Sequence, residues 1–256
     1  MSVMALEAMG LAKSFGGLCA ASKVSFSVPD GSLTALIGPN GAGKTTIFNL
    51  VTNLYEPDSG EVRFYGASLA GLSSAEIAAL GLVRTFQAAR IFPGMTTLEN
   101  ALVGAHLRIR AQPWRQMLWT PTARREERAI ARRADALLDL VGLSRFRDCA
   151  ATELAMGAQK LLEVIRALMA QPRMVLLGEP AAGLNDAETS ELAAVLRAVC
   201  SSGVTVMVVE HNMSLVMGIA DLVIVLDAGA IVASGTPSEI QRDKHVIEAY
   251  VGQESG

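Results

Sequence analysis

Nine consecutive residues, Gly38, Pro39, Asn40, Gly41, Ala42, Gly43, Lys44, Thr45 and Thr46, have the types and spacing needed to enclose a chain of phosphates. Three glycines let successive backbone N–H groups turn inward onto phosphate oxygens. Lys44 supplies a point charge for the β- and γ-phosphates, and the Thr45 hydroxyl can ligate Mg²⁺. The apolar run Leu33 to Ile37 ahead of the loop predicts a strand and Thr45 to Thr52 behind it a helix, the setting that separates a phosphate loop from a glycine-rich turn. The framework is that of a nucleoside triphosphate site. Further along, Gln87 ends the segment VRTFQ, where its amide oxygen could reach Mg²⁺. Glu179 follows the apolar run MVLL and so stands at the carboxyl end of a parallel strand, suited to a general base or water-polarising group. His211 follows Val204 to Glu210 in the same way. A lone strand-end Gln or His is more often structural than chemical; the company of a phosphate loop changes that reading.

The elements that must position these groups follow from periodicity and turn chemistry. Short strand runs near Leu6, Val24 to Val28, Leu33 to Ile37 and Glu61 to Tyr65 alternate with turn signals at Gly16-Gly17, Pro29-Asp30-Gly31 and Pro57-Asp58-Ser59-Gly60, predicting a β-rich flank. Ser73 and Glu76 have capping-box spacing before a short helix that Gly81 stops, and strand Leu82 to Phe86 follows. From about residue 88 to 155 the β pattern gives way to helical signals, with Thr96 and Glu99 as a second capping box and helical spacing from Arg124 to Val141. Beyond this insertion, strand Met174 to Leu177, helix Ala187 to Cys200 and strands Val204 to Val209 and Leu222 to Leu226 give βαβ alternation and hence a parallel sheet. Thr236-Pro237-Ser238-Glu239 combines an N-cap, Pro at the first helical position and Glu at the third, predicting one closing helix from about residue 237 towards Tyr250.

Composition bounds the class. At 256 residues the chain holds one sizeable α/β domain with an insertion and is too short for two complete nucleotide-binding modules. A net charge of −3 gives no reason to propose nucleic acid as a partner. Eight arginines between Arg108 and Arg133 read better as a solvated helix face than as an anion site, and Trp114 and Trp119 beside them suit either packing or a partner contact. Cys19, Cys149 and Cys200 lack metal or disulfide spacing, which suits free thiols in a reducing, cytoplasmic compartment. No signal segment opens the sequence and no run approaches the ~18 to 20 apolar residues of a membrane span, so neither secretion nor a bilayer crossing is expected. The mean hydropathy of +0.36 is carried partly by runs fitted to strands buried on both faces.

Taken in order, the phosphate loop, Gln87, the segment Leu154-Ala155-Met156-Gly157-Ala158-Gln159-Lys160, Leu177-Gly178-Glu179-Pro180 and His211 resemble the ATP-binding subunit of an ABC transporter. The likeness runs from residue 6 to residue 250 and is closest to the ATPases of branched-chain amino acid importers. The phrases that carry it are KSFGGLCA, VRTFQAARIFPGMTTLENALVG, EPAAGLN, EHNMSLVMGIAD, DAGAIVASGTP and VIEAYVG. The resemblance implies an α/β fold with a RecA-like P-loop NTPase core, an antiparallel β flank and an inserted helical subdomain. Residues 1–87 and 156–256 would form the core and residues 88–155 the helical subdomain, with the signature loop at its end. It implies ATP and Mg²⁺ as cofactors, Phe15 stacked on adenine, the loop amides and Lys44 on phosphate, and Thr45 and Gln87 on Mg²⁺. Glu179 would position the attacking water and His211 sense the γ-phosphate. Leu154, Ala155, Met156, Gly157, Ala158 and Gln159 would meet the ATP of a second ATPase subunit in a head-to-tail dimer, two different ATPases being a frequent pairing. The further partners implied are membrane-spanning permease subunits and, through them, a solute-binding protein, with the chain peripheral on the cytoplasmic face of the membrane. Branched-chain amino acids are the default solute, with other amino acids, urea or short amides as alternatives.

Three positions depart from the family pattern. Gly178 stands where a carboxylate would hold the Mg²⁺ shell, Met156 replaces an aromatic residue and Ala158 a glutamine. Losing one preorganised group at a phosphoryl-transfer centre commonly costs on the order of 10² to 10³ in rate. The departures therefore raise a second reading: a subunit that binds ATP but hydrolyses it slowly and serves a regulatory or structural role. A soluble ABC protein of nucleic-acid metabolism would need a long coiled coil or tandem modules, and a GTPase an Asn-Lys-x-Asp motif; the sequence has neither.

Overall fold

A computed structural model of the chain describes residues 3–85, 91–106 and 121–251; Gln87, Trp114, Trp119 and the arginines at 108, 110 and 115 lie outside them. Two sheets organise the described residues. In the first, β1 (Met4–Phe15) turns at Gly16-Gly17 into antiparallel β2 (Leu18–Pro29), with β4 (Ser59–Phe64) and the two-residue β5 (Ala67–Ser68) on its other side. The second has the order β10-β9-β3-β8-β7-β6. Its strands β3 (Leu33–Ile37), β6 (Leu82–Arg84), β7 (Met174–Gly178), β8 (Thr205–Val209) and β9 (Leu222–Asp227) run parallel, and β10 (Ala230–Gly235) closes the edge antiparallel to β9.

Every residue of β3, β7 and β8 is buried, as continuous apolar runs require when both faces of a sheet are covered. The period of two sorts their side chains. Leu33, Ala35, Ile37, Val175, Leu177, Val206 and Val208 face one core, while Leu36, Met174, Leu176, Met207 and Val209 face the other. The second core is shared with the antiparallel sheet and with α1 (Lys44–Val51), through Leu6, Leu11, Ile47 and Leu50. The first is covered by α3 (Thr97–Val103), α4 (Pro121–Leu140), α5 (Met156–Met169), α6 (Asp186–Ser201) and α7 (Met213–Ile219). Helix α5 packs on both α3 and α4, and its Leu161, Leu162 and Ile165 lie in the same core as the sheet residues.

The expected caps form. Glu76 and Glu99 close capping boxes with Ser73 and Thr96 ahead of α2 (Ser74–Leu80) and α3, and Gly81 ends α2 in the left-handed region at φ +103°. Arg124, Arg125, Arg128 and Arg132 on α4 are exposed, the solvated face expected of them, whereas Arg133 turns back to donate to the Leu168 carbonyl of α5 at 3.1 Å. The single closing helix is corrected: it is two, α8 (Pro237–Ile240) and α9 (Lys244–Val251). The break has a local cause, since the Asp243 carboxylate accepts the N–H groups of His245 (2.8 Å) and Val246 (3.4 Å) and starts a new helix. Among the described residues no helix is long and apolar enough to cross a membrane.

Candidate functional site

The phosphate loop joins β3 to α1 at the centre of the parallel sheet. Gly43 is the N-cap of α1 at φ +98°, and neither a side-chain cap nor an acidic residue occupies the helix's first turn. A helix start without a carboxylate of its own leaves its amides and positive dipole end to an external anion. Backbone crowding dictates the glycines: a Cβ on Gly38 would collide with the Leu226 carbonyl, and one on Gly43 with the carbonyl of Ala20. Lys44 is buried and folds back over the loop, donating from Nζ to the carbonyls of Gly38 (2.7 Å) and Pro39 (2.9 Å). Burial lowers the pKa of its ammonium below the usual lysine value, and the nearby Glu179 carboxylate restores part of it.

Glu179 and His211 arrive beside the loop because β3, β8 and β7 are adjacent, parallel and end on the same edge. Gly178 pairs in register with Val209, and Glu179 leaves the sheet at φ +49°, donating its N–H to the Val209 carbonyl at 2.8 Å. His211 is exposed, and its N–H donates to Glu210 Oε2 at 3.0 Å. Thr45 is exposed on the first turn of α1. Phe15, at the end of β1, is 42% exposed and meets Tyr55 edge-on at 5.4 Å between ring centroids, so it is a surface aromatic and not a core one.

The signature segment lies on the helical side. Leu154 is buried in the core, Ala155 is the N-cap of α5, and Met156 is 55% exposed with its sulfur against Gly183. The Gly157 N–H donates to Glu188 Oε1 at 3.3 Å, and a Cβ on Gly157 would press on that carboxylate at 2.8 Å. Ala158 is half-buried, and Gln159 Nε2 closes the loop by donating to the Leu154 carbonyl at 2.8 Å. Glu188 also completes a capping box with Asn185 at the start of α6, so the signature loop rests on the segment that follows Glu179.

Two residues to which the sequence assigns no role of their own stand close to Glu179. Glu210 is wholly buried, and its carboxylate accepts the N–H groups of Ala181 (2.7 Å), His211 (3.0 Å) and Asn212 (3.2 Å). Lys160 is also buried and donates to the Glu179 carbonyl at 3.4 Å. The signal for Glu210 was a carboxylate ending an apolar strand immediately before His211; for Lys160 it was a lysine on the buried face of an amphipathic helix.

A phosphate loop, a carboxylate and a histidine on one edge of a parallel sheet, flanked by an antiparallel sheet and a helical layer, define a nucleotide-binding cassette. The chain belongs to the ABC transporter family: the family model described as ABC transporter matches residues 21–182. A second model, described as Branched-chain amino acid ATP-binding cassette transporter, matches residues 230–255. The chain is 43% identical over 254 residues to the high-affinity branched-chain amino acid transport ATP-binding protein BraF of Pseudomonas aeruginosa, covering 99% of this chain and 100% of the relative. It is 40% identical, with the same coverage, to the corresponding protein LivG of Escherichia coli. Among solved structures, a nucleotide-free ATP-binding cassette from an ABC transporter superposes with a TM-score of 0.83 at 31% identity, covering 98% of this chain and 99% of the other. The ADP conformation of an ATP-binding cassette gives 0.85 at 32% identity, with the same coverage. The regulatory reading drawn from Gly178 and Ala158 finds no support in these relatives, which are named as transport ATP-binding proteins along their whole length.

Proposed function

We propose that the chain is the ATP-hydrolysing subunit of a branched-chain amino acid importer. The convergence of Lys44, Glu179 and His211 at the ends of three adjacent strands carries the catalytic part of this reading. The full-length likeness to branched-chain amino acid transport ATP-binding proteins supports the solute. Residues Gly38 to Thr46 cradle the phosphates, Lys44 leaves its loop carbonyls for phosphate oxygens, and Phe15 stacks on the adenine. The Glu179 carboxylate orients and polarises the attacking water, and His211 senses the γ-phosphate. Leu154 to Gln159 face the nucleotide of a second cassette, a paralogue by preference, and Gly157 allows the close approach.

Mg²⁺ fits the donors present. The Thr45 hydroxyl, exposed on the first turn of α1, is a hard oxygen ligand, as is the Gln87 amide in the sequence. No group of three or more His, Cys, Asp or Glu side chains forms a cage among the described residues, which suits an ion carried largely by phosphates and water. When bound, it neutralises charge on the β- and γ-phosphate oxygens. The helical subdomain, whose described residues are 91–106 and 121–155, relays closure. A cavity of about 800 Å³ between α2 and α5, lined in part by Ala75, Arg84, Phe92 and Arg166, offers the docking place for a helical segment of a permease subunit.

The deciding experiment reconstitutes the chain with its permease subunits and partner ATPase in vesicles and follows ATP-dependent leucine uptake. The expected outcome is uptake that stops with Lys44→Ala; ATP hydrolysis unresponsive to any branched-chain amino acid and its binding protein would overturn the solute assignment.

A further inference from the structure

Glu179 stands on a turn that has to be held. At φ +49° it occupies the left-handed region, which costs a residue with a Cβ on the order of 1 kcal/mol or more. Its N–H is fixed by the Val209 carbonyl at 2.8 Å, and its own carbonyl accepts both the Ala182 N–H at 3.2 Å and Lys160 Nζ at 3.4 Å. Two residues on, the Ala181 N–H donates to Glu210 Oε1 at 2.7 Å, while Glu210 Oε2 takes the N–H groups of His211 and Asn212. Lys160 is 6% exposed and Glu210 0%. Charges so deeply buried are costly unless they make charge-assisted hydrogen bonds. These two make them at opposite ends of one turn, the ammonium on a carbonyl and the carboxylate on an amide.

We propose that Lys160 and Glu210 are positioning residues that clamp the Glu179 turn, one from the signature helix and one from the strand that carries His211. The inference rests on the reading of Glu179 as the group that polarises water. Lys160 follows Gly157 by one helical turn of α5, so a displacement of the signature helix reaches the Glu179 carbonyl. Glu210 binds the His211 and Ala181 amides on one carboxylate, so a displacement at His211 reaches the other end of the turn. Placement of the Glu179 carboxylate thus depends on the partner's nucleotide through Lys160 and on the chain's own nucleotide through Glu210.

The test compares Lys160→Met, Lys160→Arg, Glu210→Gln and Glu179→Gln for kcat, for KM of Mg-ATP, for affinity towards a fluorescent ATP analogue and for melting temperature. Lys160→Met and Glu210→Gln are expected to lower kcat by about 10²-fold, the cost of a small misplacement of a reacting group, with analogue affinity unchanged and Lys160→Arg restoring most of the rate. Wild-type kcat in Lys160→Met beside an inactive Glu179→Gln overturns the clamp alone. Parallel loss of affinity, kcat and melting temperature in Lys160→Met reduces it to a folding role and overturns it as well. Retained turnover in Glu179→Gln removes the reading on which it rests. Should Glu210→Gln not fold, the two Lys160 variants decide.

Discussion

Gly43 sits where the chain turns from loop into α1, at φ +98° with the Ala20 carbonyl in the space a side chain would need. Gly43→Ala is expected to destabilise the fold by about 1–3 kcal/mol and to abolish binding of a fluorescent ATP analogue. Parent-like binding would mean that the loop can move away from β2. Gly178 presents the opposite case. It pairs as an ordinary strand residue and stays out of the left-handed region, so its backbone conformation suits a residue with a Cβ, and Gly178→Asp is expected to fold. A carboxylate there should lower the Mg²⁺ concentration for half-maximal hydrolysis on the order of tenfold, in line with the effect of groups that support a metal's first shell. An unchanged Mg²⁺ dependence would show that the ion is held without this position. The phosphate loop was legible in the sequence because its demands are local: glycines, a lysine and a hydroxyl in fixed spacing. Lys160 and Glu210 were not, because each acts on a backbone atom about 20 or 30 positions away, contacts that only the tertiary fold creates.

At the scale of elements, α3 depends on the Thr96–Glu99 capping box, in which the Thr96 N–H donates to Glu99 at 2.8 Å. Thr96→Ala is expected to cost about 1 kcal/mol, measured by urea unfolding. The lower ends of β3 and β9 are joined by Asp221, whose carboxylate accepts the Leu33 N–H (2.8 Å) and pairs with Arg197 of α6 (2.8 Å). Partial burial pushes its pKa up, but the Leu33 amide and the Arg197 guanidinium outweigh it and leave the pKa below the usual value. The folded state therefore binds this proton less readily than the unfolded one. The stabilisation is present above the usual carboxylate value of about 3.9 and is lost as pH falls through the lower, folded-state value. Melting curves of the parent and Asp221→Asn should differ at pH 7 and converge below that window; a constant gap would show that Asp221 acts by packing. Capping boxes and β-branched runs made most elements readable. Helix α5 went unread, because Ala155 offers no side-chain cap to mark its start, and so did β10, whose segment AIVASG is short and built mostly of small residues. The break between α8 and α9 hung on Asp243, whose capping role needs the following amides in place.

For the whole molecule, the cavity between α2 and α5 lies where the sheet-borne site meets the helical layer, and a membrane subunit seated there would sense closure of the cassette. Ala75→Arg on its exposed wall is expected to leave basal ATP hydrolysis intact while abolishing co-purification with the permease and solute uptake. Retained co-purification would move the docking place elsewhere. Strand order has a consequence of another kind. Strand β3, which launches the phosphate loop, is hydrogen-bonded on one side to β8 and on the other to β9, with Leu33 opposite Val206 and Thr34 opposite Leu222. A chain emerging from the ribosome therefore carries its finished phosphate-loop sequence for most of its synthesis without the two neighbours that seat it. Such long-range pairing requires loop closure before any contact rewards it. ATP can then act only on a nearly complete polypeptide, and the waiting apolar strand is a burden for chaperones during translation rather than a nucleus for folding.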